Sequence, residues 1–183
     1  MISQNRTILR YGTMAALAGA LVLPVAAAQS QSSAPKLDDP TIVAIFDAAN
    51  TYDMETGSLA VNKGHSKAVR DFGAMLVRDH RNVRKQGRDL AKSLKVTPTP
   101  PRDFPLAKAH AAAMRNLRSL HGSAFDRAFL KQEVDFHNAV IDAVTNTLLP
   151  ATQNAQVKAL ETKVAPAFVA HRDMAQKLLN EQK

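Results

Sequence analysis

An acidic and a basic group stand on the apolar face of a single helical stretch, and this restricts what the chain can fold into. Over Phe125–His137 and its continuation, an advance of about 100° per residue puts Phe129, Glu133, Val140 and Val144 on one stripe, with Leu130, His137 and Ile141 beside it. Glu133 and His137 therefore lie one turn apart and face the interior. Burying an unpartnered charge costs several kcal/mol. Other segments must bring something to satisfy this pair, either a metal ion or further polar groups.

The rest of the chain supplies helices that can do so. Asp39 reads as an N-cap with Pro40 at the first helical position, and Ile42, Ile45, Phe46, Ala49, Asp53 and Ala60 then form a stripe; Glu55 falls to one side with Tyr52 and Leu59. Gly64 stops this helix and Ser66 caps the next, whose stripe is Val69, Phe72, Leu76, His80, Val83, Gly87, Leu90 and Leu94. Asp79 falls on the opposite flank, and Arg70, Arg78, Arg81, Arg84 and Lys85 clothe the outside. Thr97-Pro98-Thr99-Pro100-Pro101 cannot continue a helix and reads as a semi-rigid crossover.

Pro105 to Leu120 is short, Ala-rich and helix-prone, a peripheral element. Ser123 with Asp126 resembles a capping box at the start of a third long helix that runs to about Thr147. Leu149 to Thr152 forms a turn, and a fourth long helix carries Val157, Leu160, Val164, Phe168, His171, Ala175 and Leu178, with Pro166 expected to kink it. No stretch reads as a strand. The expected fold is all-α, a four-helix bundle with one long crossover carrying a short extra helix.

Arg6 and Arg10, an apolar run from Met14 to Val25 and Ala26-Ala27-Ala28 have the form of a cleaved secretory signal peptide. The organisation expected is a signal peptide over 1–28, a flexible lead over 29–38 and the bundle over 39–181, in a periplasmic protein with no transmembrane segment once processed. With no cysteine, disulfides, thiolate metal sites and a cysteine nucleophile are excluded, which leaves His, Asp and Glu as the strong ligands. The formal charge of +8 is spread over several helices; it suits loose association with anionic envelope surfaces rather than nucleic-acid recognition. The chain has neither a Gly-rich phosphate loop nor a Gly-x-Ser-x-Gly elbow, and no catalytic residue is assigned.

Each long helix offers an ionisable side chain to the shared interior: Asp53, His80, then Glu133 with His137, then His171. Imidazoles and carboxylates converging from facing helices are how bundles hold iron, manganese, copper or zinc. The residues three before His80, His137 and His171 are Val77, Val134 and Phe168, so the Glu-x-x-His of di-iron carboxylate centres is missing. Counting at about 1.5 Å per residue from the turns sets His80 and Asp53 some turns apart unless the helices are staggered, and matches His171 to Glu133 better than to His137. His65, His110 and His121 fall near helix ends and are expected in solvent. The alternative to a metal is a buried polar network that only fixes helix register, in a non-catalytic envelope interaction or stress-protective module.

Ala49-Asn50-Thr51-Tyr52-Asp53-Met54-Glu55-Thr56-Gly57-Ser58-Leu59-Ala60, Met75-Leu76-Val77-Arg78-Asp79-His80, Phe125-Asp126-Arg127-Ala128-Phe129 with His137, and Pro166 with His171 together resemble the exported bacterial family called domain of unknown function 4142. The resemblance spans Thr41 to Leu179. It implies a ferritin-like bundle, periplasmic or loosely attached to the envelope, in a family whose members often carry outer-membrane labels and have no established activity. It also implies a Glu at the position held here by Asp53.

Overall fold

The computed structural model describes residues 37–182; the signal peptide expected over 1–28 and the lead over 29–36 lie outside the described residues. The chain is all-helical there. Its elements are α1 (Asp39–Lys63), α2 (Lys67–Ser93), α3 (Pro105–Ser119), α4 (Gly122–Ala143), a π-helical turn (Val144–Leu148), the single turn α5 (Leu149–Ala151) and α6 (Ala155–Asn180). α1 packs along α2, α2 against α6, α6 against α4 and α4 against α1, while α3 leans on α1 and α4 from outside. No helix among the described residues is long and apolar enough to cross a membrane.

Helix ends follow local chemistry, with some corrections to the sequence reading. The N-cap of α1 is Asp38, which accepts from the Thr41 amide at 2.9 Å, so Asp39 is already inside the helix. Asp39 is freed for a longer-range role: its two carboxylate oxygens accept from the Gln153 and Asn154 amides, each at 2.9 Å, and pin the start of α1 to the start of α6. Leu37, expected in the flexible lead, packs against the core. α4 begins at Gly122 with φ +58°, a left-handed conformation that glycine adopts without steric cost, and no side chain caps it.

Asp126 does not close a capping box. It is 1 % exposed, and its carboxylate accepts from the backbone amides of His65 at 2.7 Å and Ser66 at 2.8 Å, which fixes the α1–α2 turn. Asp126→Asn removes one of these two acceptors and strands an amide, so an unfolding free energy lower by about 1–2 kcal/mol is expected by urea titration.

The third long helix does not stay α-helical to Thr147; it widens into the π turn at Val144. α6 runs through Pro166 without a break. Two apolar clusters fill the interior at different heights. One holds Ile42, Phe46, Val83, Val140 and Phe168, the other Ala60, Leu76, Phe129, Leu130 and Ala175. Along every long helix the residues between these clusters are polar: Asn50, Asp53 and Thr56 on α1, His80 on α2, Glu133 and His137 on α4, His171 on α6. The chain thus inserts one buried polar layer across the middle of an otherwise apolar core.

The register of that layer is set by two glycines. A β-carbon on Gly57 would come within 2.8 Å of the Gly73 carbonyl oxygen, and one on Gly73 within 2.7 Å of the Gly57 oxygen, so α1 and α2 touch backbone to backbone here. Asn50 lies seven residues before Gly57 and His80 seven after Gly73; in an antiparallel pair the two are level. Asp53 is one turn away and close enough for its side chain to reach, so the separation of some turns expected between Asp53 and His80 does not arise.

Candidate metal centre

All five residues singled out in the sequence come together. His80, His137 and His171 present ring nitrogens within 4.8 Å of one another, and ligand atoms of Asp53, Glu133 and His137 form a second such group. Exposure is 0–1 % for His80, Glu133 and His137, 3 % for Asp53 and 5 % for His171. His137 lies beside His171, with ring centroids 5.5 Å apart, contrary to the expectation from helix depth that Glu133 would be the better match.

The outward hydrogen bonds fix which nitrogen of each imidazole faces inward. Asn50 donates from Nδ2 to the Phe46 carbonyl at 2.8 Å, so its Oδ1 is the atom turned to His80 Nδ1 at 2.9 Å. His80 must then carry its proton on Nδ1, where Asp53 Oδ2 also lies at 3.4 Å. His171 Nε2 faces Asp79 Oδ2 at 3.2 Å and donates to it. His137 Nδ1 donates to the Glu133 backbone carbonyl at 2.9 Å. The three remaining nitrogens, His80 Nε2, His171 Nδ1 and His137 Nε2, are bare lone pairs.

Two of those lone pairs collide. His80 Nε2 and His171 Nδ1 are 3.1 Å apart, and with both outward N–H groups engaged neither has a proton to give. His137 Nε2, Asp53 Oδ1 and Glu133 Oε2 are buried without a hydrogen-bond partner, with the first two 4.0 Å apart. Such an arrangement of inward lone pairs and carboxylate oxygens can be satisfied either by a cation or by protons on the two acids. Two nitrogens bound to one ion at about 2.0–2.1 Å sit about 2.8–3.0 Å apart at a right angle and about 3.3–3.4 Å apart at the tetrahedral angle, and the observed separation lies between the two.

On the imidazoles a proton is a poor substitute. Burial drives His80 well below the ordinary imidazole value, with His137 and His171 adding repulsion. It drives His137 down to about 4 and lowers His171 against the pull of Asp79. The same burial pushes Glu133 up to about 7, and raises Asp53 well above the carboxylate range with Glu133 as the next contributor. Without a metal, desolvation favours neutral imidazoles and protonated acids.

Several polar residues of the region were missed or misjudged in the sequence. Asn50 sits on the same stripe as Asp53, three residues earlier, and was legible as a polar residue on a buried face. Asp79, read as pointing away, is reached by His171 because α6 packs against that flank of α2. His110 is 8 % exposed, not solvated; its Nε2 meets Glu55 Oε2 at 2.7 Å and its ring stacks on Tyr52 at 4.2 Å, which docks α3 onto α1. His65 and His121 are exposed as expected. Glu161, also buried, lies apart from the centre and accepts from the Thr152 hydroxyl at 2.8 Å.

A family model described as a domain of unknown function, DUF4142, matches residues 24–178. The chain belongs to the DUF4142 family. Asp53, His80, Glu133, His137 and His171 of this DUF4142 chain all fall within the matched span. Among solved structures it is similar to the crystal structure of a DUF305 fragment from Deinococcus radiodurans, at TM-score 0.69 and 14 % identity, over 78 % of this chain and 95 % of that one. That likeness concerns the fold. No curated protein matches the DUF4142 chain.

Proposed function

We propose that this protein is an exported, ferritin-like four-helix bundle that holds one divalent transition-metal ion in its mid-height polar layer. The observation that carries the reading is the pair of facing lone pairs on His80 Nε2 and His171 Nδ1, whose outward protons are both committed to other acceptors. His137 Nε2 supplies a third imidazole and Asp53 Oδ1 a carboxylate, with Glu133 beside them. His137 has one free nitrogen, so it can serve only one ion at a time, in the three-imidazole group or in the group with Asp53 and Glu133. Three imidazoles and no sulfur suit zinc, copper or iron ahead of manganese. Asn50 and Asp79 act on the ligands from behind, as hydrogen-bonding partners that fix tautomer and ring orientation.

The four-helix, ferritin-like arrangement is supported by the closed circuit of neighbours α1, α2, α6 and α4. Export and a mature start near Gln29 rest on the Arg6 to Ala28 pattern; intact-mass measurement on periplasmic material tests them, and retention of residues 1–28 overturns them. Elemental analysis of protein purified without a His tag tests the metal. Protein that is metal-free on purification and takes up none of iron, zinc, copper or manganese favours the alternative, a purely register-fixing network in an envelope module.

Binding must compete with protons on the carboxyls rather than on the imidazoles, which burial already holds neutral down to about pH 4 in the case of His137. With Glu133 raised to about 7, affinity is expected to fall as pH drops below about 7, not from the ordinary histidine value, and loading at pH 7 releases protons. Isothermal titration in two buffers of different ionisation enthalpy reads that release directly.

A further inference from the structure

A cleft of about 480 Å³ opens beside the polar layer, between the N-terminal half of α1, the crossover and the far end of α4. Its floor is shared with the centre. Asn50 and Phe168 line it from below, and both touch His80, the first through a hydrogen bond and the second by parallel stacking at 5.9 Å. Close packing ordinarily leaves few voids larger than a water molecule, and this volume lies in the range of small-ligand sites, about 300–1,000 Å³. The room is made by short side chains: Ala49 on one wall, Ala139 and Ala143 one turn apart on the other.

We infer that this cleft binds the alkyl chain of a single-chain anionic amphiphile, of the fatty-acid class, with its head at the rim. The lining is aliphatic and aromatic, and the one deep polar side chain, Asn50, already spends both ends of its amide on Phe46 and His80. The other polar lining residues are Thr147 and Asp103, and the Asp103 carboxylate is engaged by Lys108 Nζ, so the rest of the wall is apolar and the buried part of a ligand must be neutral. The rim differs. Lys108 is held in an ion pair by the lining residue Asp103, which leaves the exposed Arg102, between the lining residues Pro101 and Asp103, as the cation that meets an anionic head. A free amphiphile fits better than a bilayer. The large apolar side chains exposed among the described residues are Val61, Val169 and Met174, and none of them borders this mouth.

Displacement of a fluorescent fatty-acid probe by decanoate and dodecanoate, measured on metal-free protein, tests the inference apart from the metal reading. Saturable binding with one site per chain is expected, weakened at least tenfold in Ala143→Leu and in Ala139→Leu. Both variants fill the cleft, and their melting curves confirm that they fold. Failure of the probe to bind, or equal affinity in parent and both variants, overturns the inference. So does binding to anionic phospholipid vesicles without displacement by the free acids, which transfers the surface to a membrane.

Discussion

Supplying metal-stripped protein with zinc or iron(II) at about 100 times the dissociation constant raises its melting temperature by roughly 5–10 °C, and His137→Ala removes that rise. An ion that binds only the native state stabilises it by about 2.7 kcal/mol at that excess, and about 2–4 °C per kcal/mol is the scale for a domain of this size. His137 is the informative position because its Nε2 is buried with no partner at all, whereas His80 and His171 each face another ring nitrogen. The alanine variant also lowers the metal-free melting temperature, through the space it leaves and the loss of the imidazole's bond to the Glu133 carbonyl. The difference between curves with and without metal separates the two effects. Superimposable curves for the parent protein reject the metal site.

The second large effect appears in metal-free protein as a function of pH. Glu133 rises from 4.5 to about 7 in the folded state, burial being the main cause, so the native state holds its proton more tightly than the unfolded chain does. The stability this brings is complete below pH 4.5 and is lost as pH climbs through 7. At about 1.4 kcal/mol per unit the loss is on the order of 3 kcal/mol. His137 acts with the opposite sign: its fall from 6.5 to about 4 gives stability that is present above pH 6.5 and lost as pH drops through 4. Asp53 reinforces the first trend, while His80 and His171, with Asp79 against it, reinforce the second.

In the parent the two slopes oppose each other between pH 4.5 and 6.5 and largely cancel. Glu133→Gln removes one contributor to the falling limb and leaves Asp53 as the other. Relative to metal-free parent, the variant should gain stability as pH climbs from 4.5 through 7, by on the order of 3 kcal/mol at pH 8, as measured by urea denaturation across the series. A variant that tracks the parent at every pH shows that Glu133 is not held protonated by its surroundings.

Helical periodicity alone was enough to put Asp53, His80, Glu133, His137 and His171 into one interior, because a 3.6-residue repeat determines which face of its own helix a residue occupies. It does not determine height or neighbours. The level of Asn50 with His80 depends on the Gly57–Gly73 contact, in which two helices approach through atoms that every residue has, so side-chain patterning carries no trace of it. Asp79 failed for a related reason: a residue off its own stripe still meets a third helix, half-buried, when that helix leans to its side. Asp126 looked like a local cap since Ser123 stands three residues before it, yet its partners are some sixty residues away. Short-range motifs are ambiguous whenever a carboxylate can reach either its own helix end or a neighbouring turn.

The candidate ligands come from four different helices on both sides of a Pro-rich crossover, and no two of them on separate helices are fewer than 27 residues apart in sequence. An unfolded chain offers an ion no more than the single-turn pair Glu133 and His137, so loops of tens of residues must close before a third donor arrives. Metal therefore has little to grip in the folding transition state and much to grip in the native one. Its effect falls on the rate of unfolding, which it slows, and barely on the rate of folding. On the proposed reading, loaded protein would resist unfolding by kinetics as well as by equilibrium, and would keep the ion for as long as the four helices stay closed around it.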